Sequence, residues 1–321
     1  MIIITNQENI ANEEFNHYTV LLNETVDALN CRDGLLYIDA TLGGGGHSKE
    51  IVKRILPKGQ LIGFDVDPVA IAKAEKVLEQ YKNNVTIIKA SYTKIPEMLS
   101  SLNINEISGG IVFDLGASYY QLTSGMRGFS FLKESDLDMR FDPSSPLKAY
   151  NVVNEYSEAD LVRIFSEYGE ERFSKRIAKK IVEVRKSKKI TTTTELANVV
   201  KLAVPPVKSK THPATQVFQA IRIEVNGELE NIKNTLKKVI TLLKKDARIA
   251  VISFHSLEDR LVKQIFKHYS QDCNCEAHQM ICSCEPKQIE VLTKKPIVVT
   301  DEELRINPPS RSAKLRVARK L

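Results

Sequence analysis

Short apolar runs alternate with amphipathic stretches over the first third of the chain. Residues 37–40, 85–90 and 110–114 are apolar runs with the length of buried strands. A helix is predicted from Ser48 to Leu56, and another begins after Asp67, where an acid at the N-cap is followed by proline at the first helical position. This alternation of strands and helices predicts an α/β fold built on a parallel sheet.

The strand pattern stops after Gln121, and helical periodicity replaces it as far as Thr211. One helix is predicted from Glu158 to Tyr168. Another begins at Thr192, which has a glutamate three residues later in capping-box spacing. We therefore predict one discontinuous domain of residues 17–122 and 212–321, an inserted helical subdomain of residues 123–211, and a disordered tail of residues 1–16.

The strand pattern returns after the insert. A long amphipathic helix is predicted from Pro213 onward, and residues 248–254 form another apolar strand. The last segment, residues 312–320, alternates apolar residues with Lys and Arg, which is typical of an edge strand. The sheet is therefore predicted to resume once the helical subdomain ends.

The turn between the first predicted strand and helix holds four consecutive glycines, Gly43 to Gly46. They let the backbone approach a ligand closely, and the helix start offers unpaired N–H groups to an anion. Asp65 lies nineteen residues beyond Gly46, at the end of the next apolar run, where a carboxylate can accept both ribose hydroxyls. This order of elements predicts a site for a nucleoside cofactor, and a flexible surface loop is the alternative.

The glycine spacing favours S-adenosylmethionine over a dinucleotide. A dinucleotide site places its third glycine where helix and strand pack, but here Gly43 and Gly45 are followed by Ser48, with His47 inside the turn. S-adenosylmethionine has no pyrophosphate, and its carboxylate is an anion suited to the positive end of a helix.

Eight sequence blocks, in order, resemble the small-subunit ribosomal RNA cytosine-N4 methyltransferase family, known as RsmH or MraW. They cover most of the chain beyond residue 16 and are far more specific together than any single motif. The blocks are HYTVLLNETVDAL (17–29), DATLGGGGHS (39–48), DLGASYYQL (114–122), RGFSF (127–131), LDMRFDP (137–143), YGEERFSKRIAKKIVE (168–183), HPATQVFQAIRIEVNGEL (212–229) and ISFHSLEDRLVK (252–263).

The resemblance implies a Rossmann-like, class I S-adenosylmethionine-dependent methyltransferase fold. It also implies methyl transfer to the exocyclic N4 of a cytidine in the decoding centre of 16S rRNA, with the small ribosomal subunit or its precursor as partner. At residues 117–120 the chain departs from the family's usual valine, serine, serine, proline, which changes the local shape expected of the target-base pocket. The cofactor contacts that the resemblance implies are Gly45, Gly46, His47, Asp65, Tyr92, Asp114 and Gln121.

Asp114 ends the fourth predicted strand and is the catalytic candidate, in contact with the cofactor or the target amine. Asp138 is a weaker candidate for shaping the pocket. Residues 255–259 contain His, Ser and Asp, but no strained nucleophile elbow surrounds Ser256, so a hydrolase triad is not expected. This segment is predicted to line the methyl-transfer pocket or to cap the helix that follows.

Charge supports a polyanionic partner. The net charge is +6 and the pI is about 8.9, and nine of the nineteen residues 171–189 are Lys or Arg. We predict that this basic helix contacts the RNA backbone, and a solvated face is the alternative. No apolar run approaches the length of a membrane span and no signal peptide is recognisable, so a cytoplasmic protein is expected. The oligomeric state stays open, with a homodimer as one alternative.

Four cysteines near the C-terminal end form two C-x-C pairs. Their thiolates could make a tetrahedral zinc site, but the one-residue spacer is tighter than the usual two to four residues. We predict reduced thiols or an adventitious disulfide and no metal ion, with a zinc site as the alternative. The cysteines are Cys273, Cys275, Cys282 and Cys284.

Three other functions are alternatives: a DNA N4-cytosine or N6-adenine methyltransferase, an NAD-dependent oxidoreductase, and a non-catalytic RNA-binding assembly factor. Residues 307–310, Asn-Pro-Pro-Ser, resemble the asparagine-proline-proline-aromatic signature of DNA amino-methyltransferases. They lack the aromatic residue and precede the last predicted strand, so we predict a rigid loop there. Substrate competition, cofactor calorimetry and RNA binding without turnover would distinguish the three.

Overall fold

The computed structural model describes residues 18–117, 127–205, 212–273 and 285–321. One sheet has the strand order β3-β2-β1-β4-β5-β8-β6, and β7 pairs with β8 outside this path. The strands are β1 Leu36–Asp39, β2 Gln60–Asp65, β3 Val85–Lys89, β4 Gly110–Asp114, β5 Arg248–Ser253, β6 Ile289–Val291, β7 Ile297–Val298 and β8 Lys314–Lys320.

The α-helices of the described residues fall on both sides of the sheet and in the insert. In chain order they are α1 Leu22–Leu29, α2 Gly46–Ile55, α3 Pro68–Leu78, α4 Ile95–Ser101, α5 Ala149–Glu155, α6 Glu158–Glu167, α7 Ser174–Ser187, α8 Thr193–Ala203, α9 Ala214–Asn226, α10 Glu228–Leu242, α11 Ser256–Tyr269 and α12 Asp301–Ile306. Within the described ranges, no helix has the length and apolar character needed to span a membrane.

Strands β1 to β5 run parallel, and their order reverses at β1, which pairs with β2 on one side and β4 on the other. Neighbours in β1 face opposite ways, so Tyr37 packs in one core layer and Ile38 in the other. Apolar layers on both faces explain the continuous apolar runs in the sequence. The predicted Rossmann-like α/β fold is confirmed, and its strand switch point is where such folds bind ligands.

Strand β8 is not the predicted edge strand. It lies between β5 and β6 and is antiparallel to both. Its basic residues have partners: Arg316 donates to Asp259 at 2.6 Å, and Arg319 donates to Glu290 at 2.7 Å. The prediction was wrong because alternating charge reports a polar face, and ion pairs with neighbouring elements can cover such a face inside a sheet.

Helices α5 to α9 share a hydrophobic core separate from the two layers on the sheet. The predicted capping box at the start of α8 is confirmed, with Thr192 and Glu195 bonding each other's backbone N–H. The predicted long helix after Pro213 is two helices, because Gly227 adopts a left-handed conformation (φ 59°) between them. Helix α9 follows the predicted insert boundary in sequence but packs in the helical core.

Polar contacts on two sides join the helical part to helices that pack on the sheet. Arg127 forms an ion pair with Asp67, the N-cap residue of α3. On the other side, Glu170 accepts from Ser256 at 2.6 Å and from Arg260 at 2.9 Å, both in the first turns of α11. These contacts flank the carboxyl ends of the parallel strands.

Candidate active site

A cavity of about 980 Å³ opens at the carboxyl ends of the parallel strands. Its lining combines residues that are far apart in the sequence: the glycine turn, the ends of β2 and β4, the first turn of α10 and the segment before β8. Because it lies at the strand switch point, this cavity is the candidate ligand site.

Gly45 and Gly46 of the glycine turn have different structural roles. At Gly46, a β-carbon would lie 1.9 Å from the hydroxyl oxygen of Thr19, so only glycine fits between α2 and the N-terminal segment. Gly45 has φ 80° at the N-cap of α2, and its open side faces Ala74 and Leu78 of α3. Gly46 therefore lines the cavity, whereas Gly45 allows the turn and the helix packing behind it.

The Asp65 carboxylate lies at the end of β2 and faces the glycine turn. It accepts the backbone N–H of Gly43 at 2.8 Å and that of Asp67 at 2.8 Å. Burial raises the pKa of Asp65, and these N–H groups oppose the change. The contacts hold the carboxylate in one orientation at the cavity wall, where its remaining lone pairs can accept hydroxyl groups.

His47 and Asp114 meet across the cavity floor. His47 Nε2 lies 3.1 Å from the carbonyl oxygen of Val20, and Nδ1 lies 3.9 Å from Asp114 Oδ2. The Asp114 backbone N–H donates to Thr41 Oγ1 at 2.6 Å. Its Oδ1 is buried and has no hydrogen-bond partner among the described residues, so this oxygen is available to a bound molecule.

Asp114 is predominantly protonated at neutral pH. Burial raises its pKa from 3.8 to about 8, and the charges of Asp39 and Glu258 act in the same direction. Although 28% of its side chain is exposed, toward the cavity that it lines, the surrounding protein replaces the water that would stabilise a carboxylate. A neutral carboxyl can donate one hydrogen bond and accept others.

Tyr92 follows β3 and lines the same cavity. Its ring makes a T-shaped contact with Phe113, with centroids 5.9 Å apart. Burial, followed by the charges of Glu228 and Glu258, raises the pKa of Tyr92, so its hydroxyl stays protonated. The ring offers an apolar face to a planar ligand. Gln121, the last of the predicted contacts, lies outside the described residues.

Asp138 does not line the cavity. Its carboxylate binds Arg140 through Oδ1 at 2.9 Å and Oδ2 at 2.7 Å. Burial would raise the pKa of Asp138, but the Arg140 hydrogen bonds outweigh it and lower the value. Phe141 and Asp142 of the same block do line the cavity, so the block shapes the pocket through those two residues.

A buried charge cluster lies at the far wall. The prediction that residues 255–259 line the pocket or cap a helix covers Glu258, but the pair of Arg222 and Glu228 was not predicted. Arg222 of α9 donates to both carboxylate oxygens of Glu228 in α10, at 2.8 and 2.9 Å. Glu258 lies beside them in the first turn of α11 and is fully buried. The available signal was a charged residue, Arg222, inside the apolar stripe of a predicted helix.

The Asn-Pro-Pro-Ser segment also lines the cavity. Asn307 ends α12, and Pro308–Ser312 form a short 3₁₀ helix that closes the rim near Tyr18. The prediction for this segment was a rigid loop, whereas the structure shows a 3₁₀ helix that is part of the site. Of the four clustered cysteines, Cys273 is exposed, and the other three lie outside the described residues.

Comparison with known proteins agrees with this geometry. Residues 14–321 match the MraW methylase family. The ribosomal RNA small subunit methyltransferase H of Caldicellulosiruptor bescii is 51% identical over 308 residues, covering 96% of this chain and 100% of that protein. The proteins of the same name from Clostridioides difficile and Clostridium botulinum (strain Loch Maree / Type A3) are 46% and 48% identical, and each comparison covers 96% of this chain and 100% of the relative.

Proposed function

Because the chain belongs to the MraW methylase family, we propose that it transfers a methyl group from S-adenosylmethionine to the exocyclic N4 of a cytidine in the decoding centre of 16S rRNA. Near full-length similarity to relatives named ribosomal RNA small subunit methyltransferase H supports the substrate class. The observation that carries the proposal is the cavity at the strand switch point, which brings the glycine turn, Asp65, Tyr92 and Asp114 together.

The lining of the cavity fits the cofactor. Gly46 lets the Thr19 side chain pack directly against the glycine turn at the cavity wall, and Asp65 presents a fixed carboxylate to ribose hydroxyls. Tyr92 offers a ring face to adenine, and Asp114 has an unpaired buried oxygen. When bound, S-adenosylmethionine supplies an activated sulfonium methyl group, so the residues of the chain need mainly to orient the reactants and exclude water.

The proposed target, the exocyclic N4 of cytosine, is a weak nucleophile. The N4 lone pair of cytosine is delocalised into the ring, so a hydrogen-bond acceptor on one N–H helps to make the nitrogen nucleophilic. We place Asp114 in contact with the cofactor or with this amine. Its neutral carboxyl can do either without adding charge to the cavity.

The inserted helical subdomain, for which we propose the bounds 123–211, is proposed to hold the folded RNA. Of the exposed basic residues in and beside α7, Lys188 pairs with Glu195 and Lys189 donates to the carbonyl oxygen of Asn154. The other five form neither an ion pair nor a side-chain hydrogen bond with a described residue. Unpaired cations on one surface attract the phosphate backbone of RNA. Binding of the backbone by this surface would present an unstacked base to the cavity. The five are Arg172, Lys175, Arg176, Lys179 and Lys186.

One assay tests the proposal. The purified protein is incubated with methyl-labelled S-adenosylmethionine and unmethylated small subunits, naked 16S rRNA or DNA, and the modified nucleoside is identified by mass spectrometry. N4-methylcytidine in one small-subunit fragment is the expected result. Label in DNA would instead support the DNA amino-methyltransferase alternative, and RNA binding without transfer would support the non-catalytic factor.

A further inference from the structure

Glu258 is a buried carboxylate of the cavity, and its role in capping a helix involves only one of its two oxygens. It is fully buried, and its Oε2 accepts the backbone N–H of Phe254 at 2.8 Å and of His255 at 3.3 Å, which completes the capping box of α11. Its Oε1 has no hydrogen-bond partner among the described residues. Helix capping therefore accounts for one carboxylate oxygen, whereas the other, Oε1, lies 3.2 Å from His255 Nε2 outside hydrogen-bond geometry.

Glu258 Oε1 lies close to Gly116, which lines the cavity beyond β4. A β-carbon at Gly116, two residues beyond Asp114, would lie 3.9 Å from Glu258 Oε1. In the sheet, β5 and the start of α11 lie next to β4, on the opposite side from the glycine turn and Asp65. The proposed cofactor contacts other than Asp114 thus lie on the β1–β3 side, and Glu258 borders the space on the β4–β5 side.

The charge state of Glu258 is opposite to that of Asp114. Burial would raise the pKa of Glu258, but His255 and Arg222 outweigh it and lower the value, so the carboxylate is ionised. Burial and the neighbouring carboxylates raise the pKa of Asp114 to about 8. When two carboxyl groups in one cavity are held in opposite protonation states, the protonated one can act as an acid and the ionised one as a base.

We propose that Glu258 Oε1 accepts an N–H of the target N4 and takes the proton that this nitrogen loses. The inference rests on the proposed function and names a catalytic residue for it. The N4 lone pair forms the new N–C bond to the methyl carbon while the C–S bond breaks and its electron pair stays on sulfur. The methylated nitrogen then loses one proton to Glu258, which passes it to solvent after the product leaves.

His255 is a positioning residue in this proposal. Its Nε2 lies 3.2 Å from Glu258 Oε1, outside hydrogen-bond geometry, and its Nδ1 accepts the Glu258 backbone N–H at 3.4 Å. The other charged or titratable groups around Glu258 are Arg222 of α9, Glu228 of α10, Asp114 of β4 and Tyr92 after β3. Arg222 and His255 favour the ionised form, whereas the carboxyl groups oppose it.

A divalent metal ion is the competing use of this cluster. One ligand atom from each of Glu228, His255 and Glu258 lies within 4.8 Å of the others, so three donors are available. However, Arg222 already occupies both oxygens of Glu228, and its guanidinium would lie beside the ion. A second cation next to a fixed guanidinium is repelled in a buried site, which favours the target amine as the ligand of Glu258.

The test compares wild type with Glu258→Gln. Glutamine keeps an oxygen for the capping N–H groups but presents an NH₂ to the target amine, so donor would face donor. We expect kcat to fall by about a hundredfold or more, the size of a general-base contribution, while S-adenosylmethionine binding by calorimetry stays within about twofold. The residual rate should rise with pH, because hydroxide must then take the proton.

Asp259→Asn is the matched control, since Asp259 lies in the same turn but pairs with Arg316 and Lys314. The kcat of this variant should match wild type.

A second variant covers the case in which glutamine disturbs folding. His255→Asn retains a good N-cap residue but removes the imidazole beside Glu258, so the acid limb of the kcat–pH profile should move to higher pH. A kcat for Glu258→Gln within about threefold of wild type, an unchanged profile for His255→Asn, or loss of wild-type activity in EDTA would overturn the proposal. Failure of the wild type to form N4-methylcytidine would instead reject the proposed function.

Discussion

Replacing Asp114 with asparagine should stabilise the folded protein at alkaline pH and at the same time reduce methyl transfer. In the wild type, burial first, and then the charges of Asp39 and Glu258, raise the pKa of Asp114 from 3.8 to about 8. The folded state therefore holds the proton more tightly than the unfolded chain does. Ionisation in the unfolded chain removes stability as the pH rises from about 4 through about 8, where the folded carboxyl also ionises.

The size of the effect follows from the two pKa values. One pKa unit corresponds to about 1.4 kcal/mol. Most of the loss of folding stability falls between pH 5 and the pKa of the folded state, where only the unfolded chain is ionised. Solvent screening reduces this free-energy change, because 28% of the Asp114 side chain is exposed to the cavity. Asparagine has no ionisation to lose, so the stability advantage of Asp114→Asn over wild type should grow by roughly 2–4 kcal/mol between pH 5 and pH 9.

Urea denaturation at pH 5, 7 and 9 measures this directly, with equal denaturant slopes as a check that the compared states are the same. Asp138→Asn is the contrasting control: Arg140 lowers the pKa of Asp138, so that variant should lose stability at neutral pH. A stability difference for Asp114→Asn that stays constant from pH 5 to pH 9 would refute the raised pKa. Near-normal turnover of the variant would contradict the proposed contact of Asp114 with cofactor or amine.

Three further predictions test other parts of the site. Gly46→Ala should weaken S-adenosylmethionine binding at least tenfold by calorimetry and destabilise the fold by about 1–3 kcal/mol, because the new methyl group would strike the hydroxyl of Thr19 at 1.9 Å. Lys175→Glu with Lys179→Glu should weaken binding of 16S rRNA and reduce the slope of log affinity against log salt by about 2 or more, while cofactor binding is unchanged. Arg222→Met should cost about 3–5 kcal/mol by leaving Glu228 buried and unpaired, and adding Glu228→Leu should recover much of that loss.

Each of these predictions has a control within the chain. Lys237→Glu with Lys238→Glu makes the same charge change on α10, so equal loss of RNA binding would mean that net charge, and not the basic face of α7, is responsible. Unaltered cofactor affinity in Gly46→Ala would show that the N-terminal segment can move aside. If the double variant at positions 222 and 228 is no more stable than Arg222→Met, the buried pair is not the source of the cost.

Much of the candidate site could be predicted from local pattern. The glycine turn, Asp65 and Asp114 each stand at a strand end, and parallel strands bring such ends to one edge. Strand β4 was predicted at its observed bounds, and the capping box of α8 follows from two residues three positions apart. These features depend on neighbours along the chain, so the sequence shows them directly.

The remaining features depend on contacts between distant segments. The edge-strand prediction for β8 failed because its arginines have partners from α11 and β6, which no local pattern shows. The pairing of Arg222 with Glu228 could not be read from spacing, because it depends on the turn at Gly227. Likewise, the rim formed by Asn307 and the prolines required the fold to bring it back over β1.

The sequence by itself determined the order of the elements, the family and the residue types available for chemistry, because periodicity, turn residues and motif spacing are local properties. Only the tertiary structure decided which of these residues face the cavity and in which charge state. Gly45 turns toward α3 while Gly46 meets the cavity, and Asp114 is neutral while Glu258 is ionised. Desolvation and charge act through space, so the protonation of a carboxyl is set by residues that lie beside it only after folding.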